Sequence, residues 1–327
     1  MSNIEDNENH SNEPELNRDI INRLVFSSLN EQRRTRRWSI FFKFLTFALL
    51  FGYLAVFMAA LSKNDGISKL GKSGPHTALI EIQGVISSSA QANADNIITG
   101  LRDAFENKNT KGIILRINSP GGSPVQSGYI NDEIVRLRGK YKDIQVYAVI
   151  VDVCASGGYY IASAADKIYA DKASIVGSIG VLMNGFGFVD AMKKLGVQRR
   201  LYTAGEHKGF LDPFTPEKKA DKAHIKKMLA SIHQQFIDVV KKGRGDRLKD
   251  SPNLYSGYIW TGEQSVDMGL IDGLGSSSYV AREIIGAEEI IDFTPKPSYL
   301  DKFAKQLGAS FGATLSAALG LDKVELR

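Results

Sequence analysis

The run Ile144-Gln145-Val146-Tyr147-Ala148-Val149-Ile150-Val151-Asp152-Val153, followed at once by Cys154-Ala155-Ser156-Gly157-Gly158-Tyr159-Tyr160, decides how this chain is read. Mostly β-branched and apolar residues run straight into a glycine pair, and an Ala/Tyr-rich stretch follows. That is a buried strand, a tight turn and the opening of a short helix. A second apolar run, residues 112–117, breaks at Asn118-Ser119-Pro120-Gly121-Gly122, and residues 125–137 then show helical spacing.

Working outward, the same alternation continues. Residues 76–86 read as a first strand. Residues 93–107 read as a helix with Ile97, Ile98, Leu101 and Phe105 on one face. Residues 166–170 form another short strand, with Gly177-Ser178-Ile179-Gly180 inside the segment 174–181 that follows. Residues 186–195 read as helical and 198–203 as extended. Residues 216–241 make a long amphipathic helix with Ile225, Met228, Leu229, Ile232, Phe236 and Val239/Val240 on its apolar face. Thr261 opens a helix that stops at Gly269. Strands alternating with helices imply an α/β fold with a largely parallel sheet.

Composition excludes several classes. The net charge of +5 in 327 residues is mild, and no basic stripe interleaved with aromatics points to nucleic acid. The single cysteine, Cys154, rules out an intramolecular disulfide and reads as a small buried hydrophobe at a strand end. His224 and His233 read as part of a helix face. No His/Asp/Glu cluster has metal-ligand spacing and no phosphate loop occurs, so neither a metal nor another cofactor is expected.

The first 65 residues differ from the rest. Residues 1–31 carry seven Asp/Glu against two Arg, then comes Arg33-Arg34-Thr35-Arg36-Arg37. An apolar segment follows over 38–62. Its uncharged part, 44–62, is 19 residues long, enough to cross a bilayer core as a helix. No small-x-small cleavage site follows it, so a retained anchor is expected in place of a removed leader. The arginines hold their flank in the cytoplasm, which exports everything after Ser62. The expected organisation is a cytoplasmic tail over 1–37, a membrane helix over 38–62, a linker over 63–75 and one large domain over 76–327.

The chemistry follows from the two glycine turns. Ser156, at the start of a helix, is a candidate nucleophile. Gly157 and one of Gly121 and Gly122 are candidate N–H donors to an oxyanion. A base is also required. No histidine lies between Thr77 and Glu206, which leaves His207 and Lys208 in Gly205-Glu206-His207-Lys208-Gly209. A lysine serves as base only when neutral, which requires that it be desolvated or set among donors.

Taken together, Ala155-Ser156-Gly157-Gly158-Tyr159-Tyr160, Asn118-Ser119-Pro120-Gly121-Gly122, Gly177-Ser178-Ile179-Gly180, a lysine 52 residues past the serine, and Thr261-Gly262-Glu263-Gln264 with Gly269-Leu270-Ile271-Asp272 resemble the signal peptide peptidase A family in its single-unit bacterial form. The resemblance covers roughly residues 76–275. It implies a Clp/crotonase-like fold of repeated β-β-α units behind a transmembrane helix. It makes Ser156 the nucleophile, Lys208 the general base, Gly157 and Gly122 (or Gly121) the oxyanion donors, and Ser178 the residue that orients the lysine. It also implies a dome-like ring of identical chains in which one protomer's lysine serves its neighbour's serine.

The expected function is therefore a single-pass, inner-membrane serine endopeptidase facing the bacterial periplasm. Its partners would be signal peptides and other extended apolar peptides, the lipid bilayer and copies of itself. Two rivals share parts of this pattern. A crotonase-type acyl-CoA enzyme uses the same glycine turns but has no reason to be exported. A non-catalytic membrane scaffold has no need of Ser156 or Lys208.

Overall fold

The computed structural model describes residues 35–57 and 74–296. By contact density the chain divides between Lys72 and Ser73. The first unit holds helix α1 (Thr35–Phe57), 23 residues with a mean hydropathy of 2.1 over its most apolar window. It is the one helix among the described residues long and apolar enough to cross a membrane. Residues 1–34 of the expected tail (1–37), the end of the apolar segment (58–62), most of the linker (63–73) and the apolar C-terminal stretch 306–321 fall outside the described residues, while Thr35–Arg37 already belong to the helix.

The second unit is built on three long central strands. β1 (His76–Gln83), β2 (Thr110–Ser119) and β3 (Gln145–Ala155) pair in parallel, with α2 (Ala94–Glu106) and α3 (Pro124–Lys140) as their crossovers. Parallel pairing needs such crossovers. Both helices are sharply started: Asn93 accepts from the Asn96 amide, and Ser123 accepts from the Gln126 amide just before Pro124. Strands buried on both faces explain the continuous apolar runs in the sequence. Ile113, Leu115 and Ile117 face α2 and α3 in the main core. Ile114, Tyr147 and Val149 face a smaller cluster with Val280 and Ala281.

The sheet order is β6-β5-β3-β2-β1-β8, with β4 and β7 attached beside β3. β4 (Lys167–Ala170), β5 (Ile175–Gly177), β7 (Gly273–Leu274) and β8 (Ile290–Asp292) are parallel to their neighbours, and only β6 (Ile259–Thr261) runs antiparallel, to β5. This is the mixed α/β architecture with a mostly parallel sheet that the strand–helix alternation predicts, as the family resemblance to a Clp/crotonase-like fold implies. One feature positions the site. Residues 147–150 of β3 pair with β4, whereas residues 153–155 leave it and pair with β5. The β2–β3 register shifts at the same level, between Ile117 and Ser119. Ser156 follows the last residue of β3, on the β5 side of that split.

Some expectations are corrected. Residues 198–203 form no strand, and the helix expected over 186–195 shrinks to α5 (Val189–Lys194). The reason is the same for both: from Gly180 to Gln235 not one residue is buried, so no neighbouring strand or core face completes an element there. The long helix α6 is Lys219–Arg244, and it is anchored only near its C-terminal end, by Phe236, Val240 and Arg244. The Arg244 guanidinium donates from Nε to the Gly269 carbonyl (2.9 Å) and pairs through Nη1 with Asp272 (2.7 Å). Strands β6, β7 and β8 are two or three residues each, too short to show a period of two.

Candidate active site

Ser156 caps α4 (Gly157–Ala162) with φ 51° and ψ −121°, a conformation L-residues other than Gly rarely adopt. The conformation is held from both sides. The Ser156 amide donates to the Gly177 carbonyl (2.8 Å), and its carbonyl accepts from the Tyr160 amide (2.9 Å). Its hydroxyl makes no cap hydrogen bond to α4, so it is not tied to its own helix.

The Asn118–Gly122 turn packs directly onto this elbow. A Cβ on Gly121 would lie 2.7 Å from the Gly157 nitrogen and 2.8 Å from the Ser156 Cβ. Gly122, at φ 150°, lies so close to the Ile86 carbonyl that any side chain there would collide with it. Glycine is required at both positions for these close approaches. The Gly121 amide donates to Ser119 Oγ (3.1 Å), and that hydroxyl in turn donates to the Gly84 carbonyl (2.6 Å). The Gly122 nitrogen sits 3.2 Å from the point where a Gly157 Cβ would stand. The structure therefore brings Ser156, Gly157, Gly121 and Gly122 together. It places the Gly122 amide beside Gly157, while that of Gly121 braces the turn.

Across the parallel β3–β5 ladder, Ala155 is paired with Gly177, so the next step of the register sets Ser178 opposite Ser156. Ser178 is itself at φ 52° and donates its amide to the Tyr258 carbonyl (2.7 Å). Two serines in strained backbone thus sit side by side at neighbouring strand ends. Lys208 is not with them. It is exposed, in a turn closed by its own amide to the Gly205 carbonyl (3.1 Å), and it makes no hydrogen bond to Ser156 or Ser178 in the single chain. His207, the other candidate, bonds Asp221 through Nδ1 (2.9 Å).

Around the elbow, the buried neighbours are inert. Burial pushes the Cys154 thiol and the Tyr159 hydroxyl well above their ordinary ranges. Tyr159 donates to the Leu270 carbonyl (2.7 Å) and so fixes α4 against the Gly269–Ile271 turn. Asn118 pins the split between strands, donating to Asp152 (2.8 Å) and accepting from the Val153 amide (3.2 Å). Of the two histidines on α6, His224 is exposed and His233 lies 3.1 Å from the Ile179 carbonyl. Among the described residues no His/Cys/Asp/Glu group is arranged to hold a metal. Sequence reasoning missed Ser127, which stands behind Gly157. A serine inside a helical pattern carries no signal of its own.

Residues 138–289, which include Ser156, Ser178 and Lys208, match the model of peptidase family S49. The chain is 48% identical over 186 residues to a Na(+)/H(+) antiporter NhaA of Brucella melitensis biotype 1, a match that covers 57% of this chain but only 25% of that protein. It is 31% identical over 232 residues to a putative signal peptide peptidase SppA of Enterococcus faecium, covering 68% of this chain and 67% of the relative. It is 30% identical over 223 residues to a putative protease of Methanocaldococcus jannaschii, covering 68% and 70% respectively. The chain belongs to peptidase family S49, and the family match with the signal peptide peptidase and protease relatives supports a serine peptidase.

Proposed function

We propose that this protein is a membrane-anchored serine endopeptidase whose dyad is Ser156 and Lys208. The observation that carries the reading is the elbow: an untethered serine hydroxyl, at strained φ, flanked by the Gly157 and Gly122 amides. Lys208 as a free amine takes the Ser156 proton while Oγ attacks the peptide carbonyl. The amides of Gly157 and Gly122 receive the oxyanion. As the C–N bond breaks, Lys208 returns the proton to the leaving amine, and water then releases the acyl group. Ser178, at the neighbouring strand end, is suited to accept from the lysine amine.

Assembly completes the site in this reading. The segment that carries Lys208 buries nothing between Gly180 and Gln235, yet it exposes Leu182, Met183, Phe186, Leu195 and Tyr202. Exposed apolar groups on this scale favour a neighbouring subunit. A head-to-tail ring would cover this arm and bring one protomer's lysine to the next protomer's serine. Helix α1 supports an anchor, and the arginines before it favour a cytoplasmic N-terminus and a periplasmic domain at a bacterial inner membrane. Cleaved signal peptides and other extended apolar peptides fit an enzyme held there.

A serine-reactive fluorophosphonate probe tests the reading on the full chain in detergent. Ser156 of the wild type takes the label, and Ser156→Ala abolishes both labelling and peptide cleavage. Alanine keeps the Cβ and the strain, so the melting temperature moves by no more than a few degrees. A Ser156→Ala protein that still cleaves peptides near the wild-type rate would falsify the assignment.

A further inference from the structure

Ser127 lies in the first turn of α3, five residues past Gly122, and is fully buried. Its amide donates to the Ser123 carbonyl (3.1 Å), but its hydroxyl has no hydrogen-bond partner. Among the described residues it is the one hydroxyl in that state. Buried hydroxyls are almost always paired, and a helical serine can return to the carbonyl one turn back. Ser127 does neither. It aims at the site: a Cβ on Gly157 would stand 2.5 Å from Ser127 Oγ and 3.2 Å from the Gly122 nitrogen. The unpaired hydroxyl and the Gly122 amide therefore converge on the same side of Gly157.

We infer that Ser127 is a positioning residue of the oxyanion site, packed behind Gly157, whose O–H dipole turns toward the charge that forms on the substrate carbonyl. The inference rests on the peptidase reading above. No acceptor holds the hydroxyl hydrogen, so it is free to rotate about the Cβ–Oγ bond. In buried surroundings a dipole acts on a charge far more strongly than in water. The neutral carbonyl of bound substrate gains little from it and the oxyanion gains more, so the effect falls on the transition state. Ser127 acts across Gly157 and does not touch the reacting atoms. The same oxygen stands in the space that a side chain at position 157 would enter, so a side chain there would have to push the Ser127 hydroxyl aside.

Ser127→Ala and Ser127→Cys in the full-length protein test this. A direct oxyanion donor contributes about 100-fold or more, and a dipole one layer behind should contribute roughly tenfold. Ser127→Ala should lower kcat about tenfold with KM unchanged, and should slow fluorophosphonate labelling of Ser156 by a similar factor. Its melting temperature should not fall, because alanine deletes an unpaired buried polar atom. Ser127→Cys, which keeps a weak donor, should lie between the two. A kcat within twofold of wild type for Ser127→Ala overturns the inference. So does a loss of activity that tracks a fall in melting temperature, which would mark a packing role. Failure of the peptidase reading is a different result: wild-type Ser156 takes no label at all.

Discussion

The two halves of the proposed dyad sit in opposite kinds of structure. Ser156 is over-determined: β3 delivers it, the Gly177 carbonyl and Tyr160 amide fix its backbone, and the Gly121 turn packs close against it. Lys208 sits on an arm with no buried residue from Gly180 to Gln235. A nucleophile at strained φ persists only where the surroundings impose it, whereas a base on an unburied arm is free to be placed by something outside the chain. In the proposed ring, one chain builds the serine's environment and a neighbour would complete the lysine's.

The sharpest way to break this contrast is at the arm. Arginine cannot act as a free amine, so Lys208→Arg should be as inactive as Lys208→Ala, both down by at least about a thousandfold, while His207→Ala stays active. If the lysine is supplied by a neighbour, Ser156→Ala and Lys208→Ala chains co-expressed with different tags should regain activity in doubly tagged particles. About a quarter of their sites pair an intact serine with an intact lysine. Inactive doubly tagged particles would return the dyad to a single chain.

On the packed side, Gly122→Ala should cost both activity and stability. Its methyl would collide with the Ile86 carbonyl, which also receives the Ser123 amide (2.8 Å), so the turn must move. We expect a loss of more than about 100-fold in kcat/KM and roughly 1–3 kcal/mol in stability, read by thermal unfolding. A Gly122→Ala protein with full activity would mean that the turn is looser than its contacts imply.

The smallest effect concerns what clamps α2 to α3 beneath the turn. Glu133 accepts from Arg136 and Arg102, both at 2.7 Å. The Arg136 bond, opposed by burial and reinforced by Arg102, holds its carboxyl at about 2 against an ordinary 4.5. A depressed carboxyl stabilises the fold above its unfolded value, so this contribution is present above pH 4.5 and is lost as pH falls toward 2. Both arginines are more than half exposed, so the contribution is on the order of 1 kcal/mol. Glu133→Gln should flatten the pH dependence of melting in that window, and an unchanged profile would assign the acid sensitivity elsewhere.

Much of this was legible in the sequence. The elements around the site lie within a few residues of their expected limits, because β1, β2 and β3 are buried on both faces and their crossovers carry strong caps. The pairing of Ser156 and Gly157 with the Gly121–Gly122 turn was legible too, since glycine pairs after consecutive apolar runs mark neighbouring strand ends. The arm was misread, because residues 186–195 and 198–203 have local patterns that no partner in the chain completes. Strands β6, β7 and β8 left no pattern at all.

By itself, the sequence determined the parallel α/β core, the apolar N-terminal helix and the candidate nucleophile with its glycine donors. All of these are written in local order: buried runs, caps and turns that short-range sterics enforce. Only the tertiary structure decided that Ser156 stands where β3 leaves β4 for β5, that Ser178 adjoins it, and that an unpaired Ser127 hydroxyl presses on Gly157. It also decided that Lys208 is left in solvent. These depend on which segments, distant along the chain, come to rest against one another, and no local pattern encodes that.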